Sequence, residues 1–94
     1  MKIIWSENAV KSFSKILDFL EINWGEKQIQ DFYQLTSDTL EQIKNNPFQF
    51  KSSNKNDIRK GFIHKNVSLF YRVDKTSETI ELLFFFDNRS KSIR

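Results

Sequence analysis

The spacing of the apolar residues changes once along this chain, close to Pro47, and that change limits the folds it can adopt. Before Pro47 the apolar residues recur every three or four positions, and beyond residue 57 they alternate with polar ones. The first spacing places side chains on one stripe of a helix, and alternation places them on one face of a strand. The sequence therefore predicts a mainly helical first half and a β-sheet in the second half.

Two helices are predicted in the first half, over residues 6–24 and 26–46. Ser6 is a good N-cap for the first helix, and Gly25 stands just past its end, where a left-handed conformation is common. Pro47 disfavours helical geometry in the residue before it and so ends the second helix. With so short a connection, the two helices should form a hairpin. Their apolar stripes are Val10, Phe13, Leu17, Leu20 and Trp24, then Ile29, Phe32, Tyr33, Thr36, Leu40 and Ile43.

Four strands are predicted, at residues 2–5, 57–64, 67–74 and 79–86. The last strand ends in five consecutive apolar residues, so that both of its faces are apolar, as is typical of a central strand. Phe84 is therefore expected to be buried. The order β-α-α-β-β-β predicts a single α+β domain covering residues 1–94, with an antiparallel sheet and the N-terminal helical hairpin packed on one of its faces.

Composition excludes several classes of protein and site. The chain has 94 residues, enough for one domain, with no cysteine and one histidine. Disulfides, thiolate metal sites and two-histidine zinc sites are thereby excluded. With two glycines, no Gly-rich phosphate loop is available. No segment approaches the roughly 20 apolar residues of a membrane span. We expect a cytoplasmic domain without a metal, a cofactor or a membrane partner.

The net charge of +3 is distributed unevenly. Residues 1–50 carry −2, residues 51–65 carry +4, residues 66–86 carry −1 and residues 87–94 carry +2. The two basic segments are suited to an anionic partner, although surface charge clusters are more often only solvated. The candidate contacts to a target or to nucleic acid are Arg59, Lys60, Arg72, Arg89 and Lys91.

Three of the basic side chains are also candidates for catalysis, because guanidinium groups bind phosphate bidentately and an imidazole can transfer a proton near neutral pH. These candidates are Arg59, His64 and Arg89. Antiparallel strands could bring them close together. The alternative is structural: Arg59 and Arg72 would pair with Asp57, Asp74 or Glu81, and His64 would be an exposed turn residue.

The aromatic content is high for so small a domain, with ten Phe, two Trp and two Tyr. One modest core cannot easily hide Trp5, Trp24, Phe48 and Phe50 together. Exposed apolar patches usually mark interaction sites. We therefore expect a partner to cover the helical hairpin or an edge of the sheet.

The order of these elements resembles the RelE/ParE superfamily of bacterial type II toxins. The matching features are a helical hairpin that ends near "NP", a strand that starts at Ile58-Arg59, the strand "LFYRV" with Tyr71, and a final apolar strand that ends in "FDNR". The resemblance covers essentially the whole chain. It implies a toxin that arrests growth, in the setting of plasmid stabilisation, and a small cognate antitoxin. A homodimer or a toxin–antitoxin heterotetramer is possible in such systems.

The superfamily divides by target. RelE-like members cut messenger RNA on the ribosome, and ParE-like members poison DNA gyrase. In the RNA-cutting branch an arginine stands three residues before the strand tyrosine, where this chain has Ser68, and the C-terminal tyrosine or histidine of that branch is missing from "SKSIR". Arg59 and Arg89 do match basic positions of the family. The resemblance thus favours a gyrase poison, with the ribosome-dependent endoribonuclease as the alternative. A non-toxic module that binds only a protein is a third hypothesis.

Overall fold

The structure is a computed structural model, and it describes residues 1–52 and 57–88. Each helix and strand begins and ends within one residue of its predicted position. In chain order the elements are β1 (Lys2–Trp5), α1 (Glu7–Asn23), α2 (Glu26–Asn45), β2 (Ile58–His64), β3 (Val67–Asp74) and β4 (Thr79–Asp87). No helix in the described ranges is long and apolar enough to cross a membrane.

The helix starts follow the predicted capping residues. Ser6 Oγ accepts a hydrogen bond from the Ala9 N–H at 3.0 Å, which satisfies one of the free donors at the start of α1. Gly25 is extended, with φ −147°, and it is the N-cap of α2 rather than a left-handed end to α1. Its N–H donates to Gln28 Oε1 at 3.1 Å. The left-handed conformation predicted for Gly25 is therefore wrong, because the two helices are so close in sequence that one residue must open the second.

The sheet has four strands in the order β1-β4-β3-β2. Strands β2, β3 and β4 form an antiparallel meander, as predicted, and β1 adds to β4 in parallel, so the complete sheet is mixed. Strands β4 and β3 are central. The α+β fold and the β-α-α-β-β-β order predicted from the sequence are confirmed.

The core lies between the helical hairpin and one face of the sheet, which we call the helix-side face. Tyr71, Leu69, Ile80 and Leu82 on this face are all 0% exposed. The helices supply the other half of this core with Ala9, Ile16, Leu20, Phe32 and Ile43. Burial of this apolar surface is the main force that holds the hairpin against the sheet.

A β-bulge in β4 overturns the prediction that Phe84 is buried. Tyr71 pairs with Leu82 and Phe70 pairs with Phe84, so Leu83 is an extra residue in β4. One extra residue exchanges the two faces of a strand beyond that point. Phe85 therefore joins the core at 4% exposure, and Phe84 is 37% exposed on the opposite face.

Candidate functional site

The face of the sheet opposite the helices carries Lys60 and Arg72, two of the four predicted site residues that the structure describes. Its residues follow from the pairing register, because directly paired residues point to the same side of a sheet. We call this surface the open face and define it by Lys60, Phe62, Ser68, Phe70, Arg72, Phe84 and Phe86.

Aromatic rings dominate the open face. Phe70 and Phe84 stack with ring centroids 4.7 Å apart. Phe62 is 61% exposed, the most exposed phenylalanine that the structure describes. Ser68 is buried and pairs with Phe62 on one side and Phe86 on the other. Where the RNA-cutting branch has an arginine, this chain thus has a small side chain enclosed in an apolar surface.

Two basic side chains accompany these rings. The Lys60 Nζ lies 5.9 Å from the centroid of the Phe70 ring, in a cation–π arrangement. Arg72 lies between Ile58 and Glu81 in the register and is half-buried. Within residues 1–52 and 57–88, no ion pair of Arg72 is formed. The open face therefore combines exposed aromatic rings with positive charge that is available to a partner.

Arg59 lies on the helix-side face, apart from Arg72. It pairs with Tyr71 in the register, and its Nη1 donates to the Phe50 carbonyl at 2.7 Å. Its Nη2 is 3.6 Å from Asp57 Oδ1, and its Cζ is 4.8 Å from the centroid of Phe48. The side chain is only 13% exposed. These contacts attach the segment after α2 to β2, and the pairing with Asp57 is one of the structural alternatives raised by the sequence.

Tyr71, the tyrosine of the "LFYRV" strand, is fully buried next to Arg59. Its hydroxyl donates to the Pro47 carbonyl at 2.8 Å. Burial raises the pKa of Tyr71 to about 12, and the positive charge of Arg59 opposes that rise. At neutral pH the side chain is therefore a neutral hydrogen-bond donor that joins the centre of the sheet to the end of α2.

His64 ends β2 and is separated from Arg72. It pairs with Val67, a core residue, and its Nδ1 accepts a hydrogen bond from the Asn66 N–H at 3.3 Å. The histidine lines a groove of about 460 Å³ together with Leu20 and Trp24 of the hairpin. The structure therefore does not bring His64 to the open face. Arg89 and Lys91 lie outside the described residues.

The predicted excess of aromatic surface is present. Trp24 is 57% exposed, Phe48 is 40% exposed, Trp5 is 37% exposed, and Phe50 is half-buried. The described residues contain no group of three or more histidine or carboxylate side chains that could hold a metal ion.

Comparisons with known proteins assign the family. The sequence matches the family described as the ParE toxin of the type II toxin–antitoxin system, parDE, over residues 3–91. The chain belongs to this family. The RelE/ParE resemblance is thereby confirmed, and membership implies a cognate antitoxin as partner of the toxin. No curated protein matches the sequence.

Solved toxins have the same fold at low sequence identity. A structure described as the chromosomal ParDE system from P. aeruginosa has 17% identity and a TM-score of 0.75, and covers 93% of this toxin and 95% of that chain. The YoeB/ParE toxin from Agrobacterium tumefaciens has 14% identity and a TM-score of 0.67, with 93% and 98% covered. A metal-bound toxin from Helicobacter pylori has 13% identity and a TM-score of 0.66, with 96% and 97% covered.

The sequence does not identify the aromatic part of the open face. Phe62 and Phe70 lie within predicted strands, and Phe84 is predicted to be buried. The alternation of residues along β3 does indicate that Phe70 faces away from the core, since it lies in sequence between buried Leu69 and Tyr71. For Phe84 no local signal exists, because its side is decided by the bulge at Leu83.

Proposed function

We propose that this toxin arrests bacterial growth by binding DNA gyrase through the open face of its sheet, as the resemblance to ParE-like members suggests. The observation that carries the proposal is the combination of exposed Phe62 and Phe84 with Lys60 and Arg72 on one uncovered surface. Aromatic residues and arginine are enriched at the centres of protein interfaces, whereas lysine is depleted there.

The position of two candidate catalytic residues, Arg59 and His64, away from the open face supports binding over RNA cleavage. General acid–base catalysis needs groups within hydrogen-bond reach of the reacting atoms, and it is most efficient when a pKa lies near the working pH. His64, the chain's only histidine, is directed to the helix side, and Arg59 is held by Phe50 and Asp57. Neither group is placed to act with Arg72.

A ribosome-dependent endoribonuclease is the second candidate, and one observation favours it. Bases of a single-stranded RNA stack on exposed aromatic rings while basic side chains contact the phosphates. The Phe70–Phe84 pair with Lys60 and Arg72 has this composition. Gyrase is the preferred target because Ser68 stands where the RNA-cutting branch has an arginine.

Parallel assays with the purified toxin distinguish these targets. We expect inhibition of DNA supercoiling by gyrase, with accumulation of cleaved DNA, and no cleavage of messenger RNA on translating ribosomes. Ribosome-dependent cleavage with unaffected gyrase would refute the proposal in favour of the endoribonuclease. An intact growth rate on expression of the folded toxin would instead indicate the non-toxic binding module.

A pair of variants tests whether the open face is responsible. Phe62→Ser removes its most exposed ring, and we expect gyrase inhibition to fall about tenfold or more, as for a residue near an interface centre. Val10→Ser is the matched control, because Val10 is 53% exposed on α1, away from the open face. Equal loss in both variants, or none in Phe62→Ser, would show that the target binds elsewhere.

A further inference from the structure

A second groove lies between α1 and the far end of β4. It has a volume of about 490 Å³ and is lined by Asn8, Lys11, Ser12, Ser14, Lys15, Phe84 and Phe85. The pairing of β1 with β4 stops at Leu82, so the rest of β4 extends past β1 in the described structure. Helix α1 takes the place of a paired strand there, because the Phe85 N–H donates to Ser12 Oγ at 2.8 Å. This hydrogen bond fixes the helix against the strand and so fixes the floor of the groove.

The walls of this groove are basic and polar, and none of the described residues that line it is acidic. Lys15 is exposed and forms no ion pair within residues 1–52 and 57–88. Lys11 Nζ is 3.4 Å from Glu7 Oε1, but both side chains are largely exposed, and such pairs are weak. Asn8 and Ser14 are exposed and add an amide and a hydroxyl donor. The groove therefore offers two cations and two neutral donors to an anion.

The groove continues one row of the open face. Lys60, Phe70 and Phe84 are paired across β2, β3 and β4, and Phe84 also lines the groove. Since neighbouring strands lie about 4.8 Å apart, the backbones of Lys60 and Phe84 are separated by about 10 Å. The row therefore has Lys60 at one end, two stacked rings in the middle, and Lys11 and Lys15 at the other end.

The chemistry of this row suits a nucleic-acid backbone better than a protein surface. Lysine is depleted at the centres of protein interfaces, but it binds phosphate as a point charge. Hydroxyl and amide side chains donate to phosphate oxygens and so fix the position of a bound duplex. A DNA duplex carries one negative charge per about 1.7 Å of its axis, so a row of this length can reach several phosphates.

We propose that this groove binds the sugar–phosphate backbone of the duplex DNA on which gyrase acts, with Lys11 and Lys15 next to phosphates and the Phe84 ring next to a deoxyribose. The inference rests on the proposed function, because gyrase is the enzyme that brings DNA to the toxin. The partner is then a gyrase–DNA complex: Phe62 and Arg72 contact the protein, and the lysines contact the DNA. Because phosphate contacts carry no sequence information, this binding is independent of DNA sequence.

Two double variants test the lysines of the groove. Lys11→Gln with Lys15→Gln removes two charges from the groove, and Lys27→Gln with Lys44→Gln removes two exposed charges from α2 as the matched control. Each double variant also breaks one exposed i,i+4 ion pair, with Glu7 or with Asp31. All four lysines are exposed, so thermal melts should show both variants folded like wild type.

The probe for these variants is a short fluorescent DNA duplex, titrated with the toxin at about 50 to 200 mM salt. We expect wild type and the α2 variant to bind alike and the groove variant to bind at least about tenfold more weakly. The slope of log affinity against log salt should be less steep by about 1.8 in the groove variant, because each phosphate contact contributes about 0.9. Equal affinities of the two double variants, or no binding of the duplex by wild type, would overturn the proposal. Tighter binding of a single-stranded RNA than of the duplex would also overturn it.

A cross-link locates the DNA within the complex with gyrase. The toxin has no cysteine, so Lys15→Cys and Lys27→Cys each introduce a single thiol, in the groove and at the start of α2. The duplex carries an activated disulfide on its backbone, and attack by the cysteine thiolate forms a mixed disulfide and releases a small thiol. With gyrase present, Lys15→Cys should cross-link at least about tenfold faster than Lys27→Cys, because proximity raises the effective concentration. Equal rates would contradict the proposed position of the DNA.

Inhibition of supercoiling separates this inference from the gyrase proposal. We expect Lys11→Gln with Lys15→Gln to need at least about tenfold more toxin than wild type for the same inhibition of gyrase. If both inhibit equally well, gyrase remains the target and the groove does not contact DNA. If wild type leaves supercoiling unaffected but still binds the duplex through these lysines, the gyrase proposal is refuted and the groove remains a DNA site.

Discussion

The two faces of the sheet are built from the same strands, and they differ in almost every physical respect. On the helix-side face, Leu69 and Leu82 are 0% exposed, and the Tyr71 hydroxyl donates a hydrogen bond to the Pro47 carbonyl. On the open face, Phe62 and Phe84 remain in contact with water beside Lys60 and Arg72. Apolar side chains are abundant on both, so hydrophobicity alone does not distinguish core from interface in this toxin.

Each strand residue is therefore expected to contribute to folding or to recognition according to the face on which it lies. Arg59 and Arg72 show this most directly. They lie on adjacent strands, yet one guanidinium is enclosed by Phe50, Phe48 and Asp57, and the other faces outward. Changes on the helix-side face should therefore reduce stability, and changes on the open face should reduce activity.

The largest effect on stability is expected from Leu82→Ala. Leu82 is 0% exposed in the central strand β4, and truncation leaves a cavity under the helices. The free energy of unfolding should fall by about 2–5 kcal/mol. Denaturant melts of the purified toxin measure this change. A loss below about 1 kcal/mol would mean that the helix-side face is not the main core.

Arg59→Ala should come next, with a loss of about 1–3 kcal/mol, because it removes a donor from the Phe50 carbonyl and a cation from the Phe48 ring. Arg72→Ala is the matched change on the open face and should alter the free energy of unfolding by less than about 0.5 kcal/mol. Its effect should appear as reduced growth arrest. Similar melting curves for the two variants would abolish the contrast between the faces.

Phe84→Ala should cost about 1–2 kcal/mol, well below the loss for a buried phenylalanine. The ring is 37% exposed, so the loss is limited to part of its burial and to the stacking with Phe70. Thermal and denaturant melts beside Leu82→Ala give the comparison. A loss of 3 kcal/mol or more, in the range of about 3–5 for a core phenylalanine, would place Phe84 in the core after all.

Among the changes on the helix-side face, the smallest loss at neutral pH is expected from Tyr71→Phe, about 0.5–1.5 kcal/mol for one hydrogen bond. Burial raises the pKa of Tyr71 from 10.0 to about 12, so the folded state disfavours the phenolate. This contribution to stability is complete below about pH 10 and is lost as the pH rises towards 12. Wild type should therefore lose stability between these values faster than Tyr71→Phe.

Melts of both proteins from pH 9 to 12 measure how the difference in their free energies of unfolding shrinks as the pH rises. Tyr33→Phe, which changes an exposed tyrosine and keeps Tyr71, should retain the alkaline loss of the wild type. Parallel pH profiles for wild type and Tyr71→Phe would mean that the Tyr71 hydroxyl is not enclosed by the end of α2.

The sequence alone determined the elements of this toxin, their bounds and the fold class. These follow from short-range physics: the spacing of apolar residues, the Ser6 cap and the break at Pro47 each act within a few residues. The family resemblance also followed from the order and spacing of these elements. The list of basic candidate residues could likewise be made from the sequence.

The face that each candidate residue occupies depends on how the strands pair in three dimensions. The extra residue at Leu83 moves Phe84 out of the core, and its place depends on pairing with β3 and on Ser6 and Ser12 of a distant helix. The separation of Arg59 from Arg72 depends on contacts with the segment after α2. Such effects are set by register and by contacts between residues far apart in sequence, and no local pattern of residues records them.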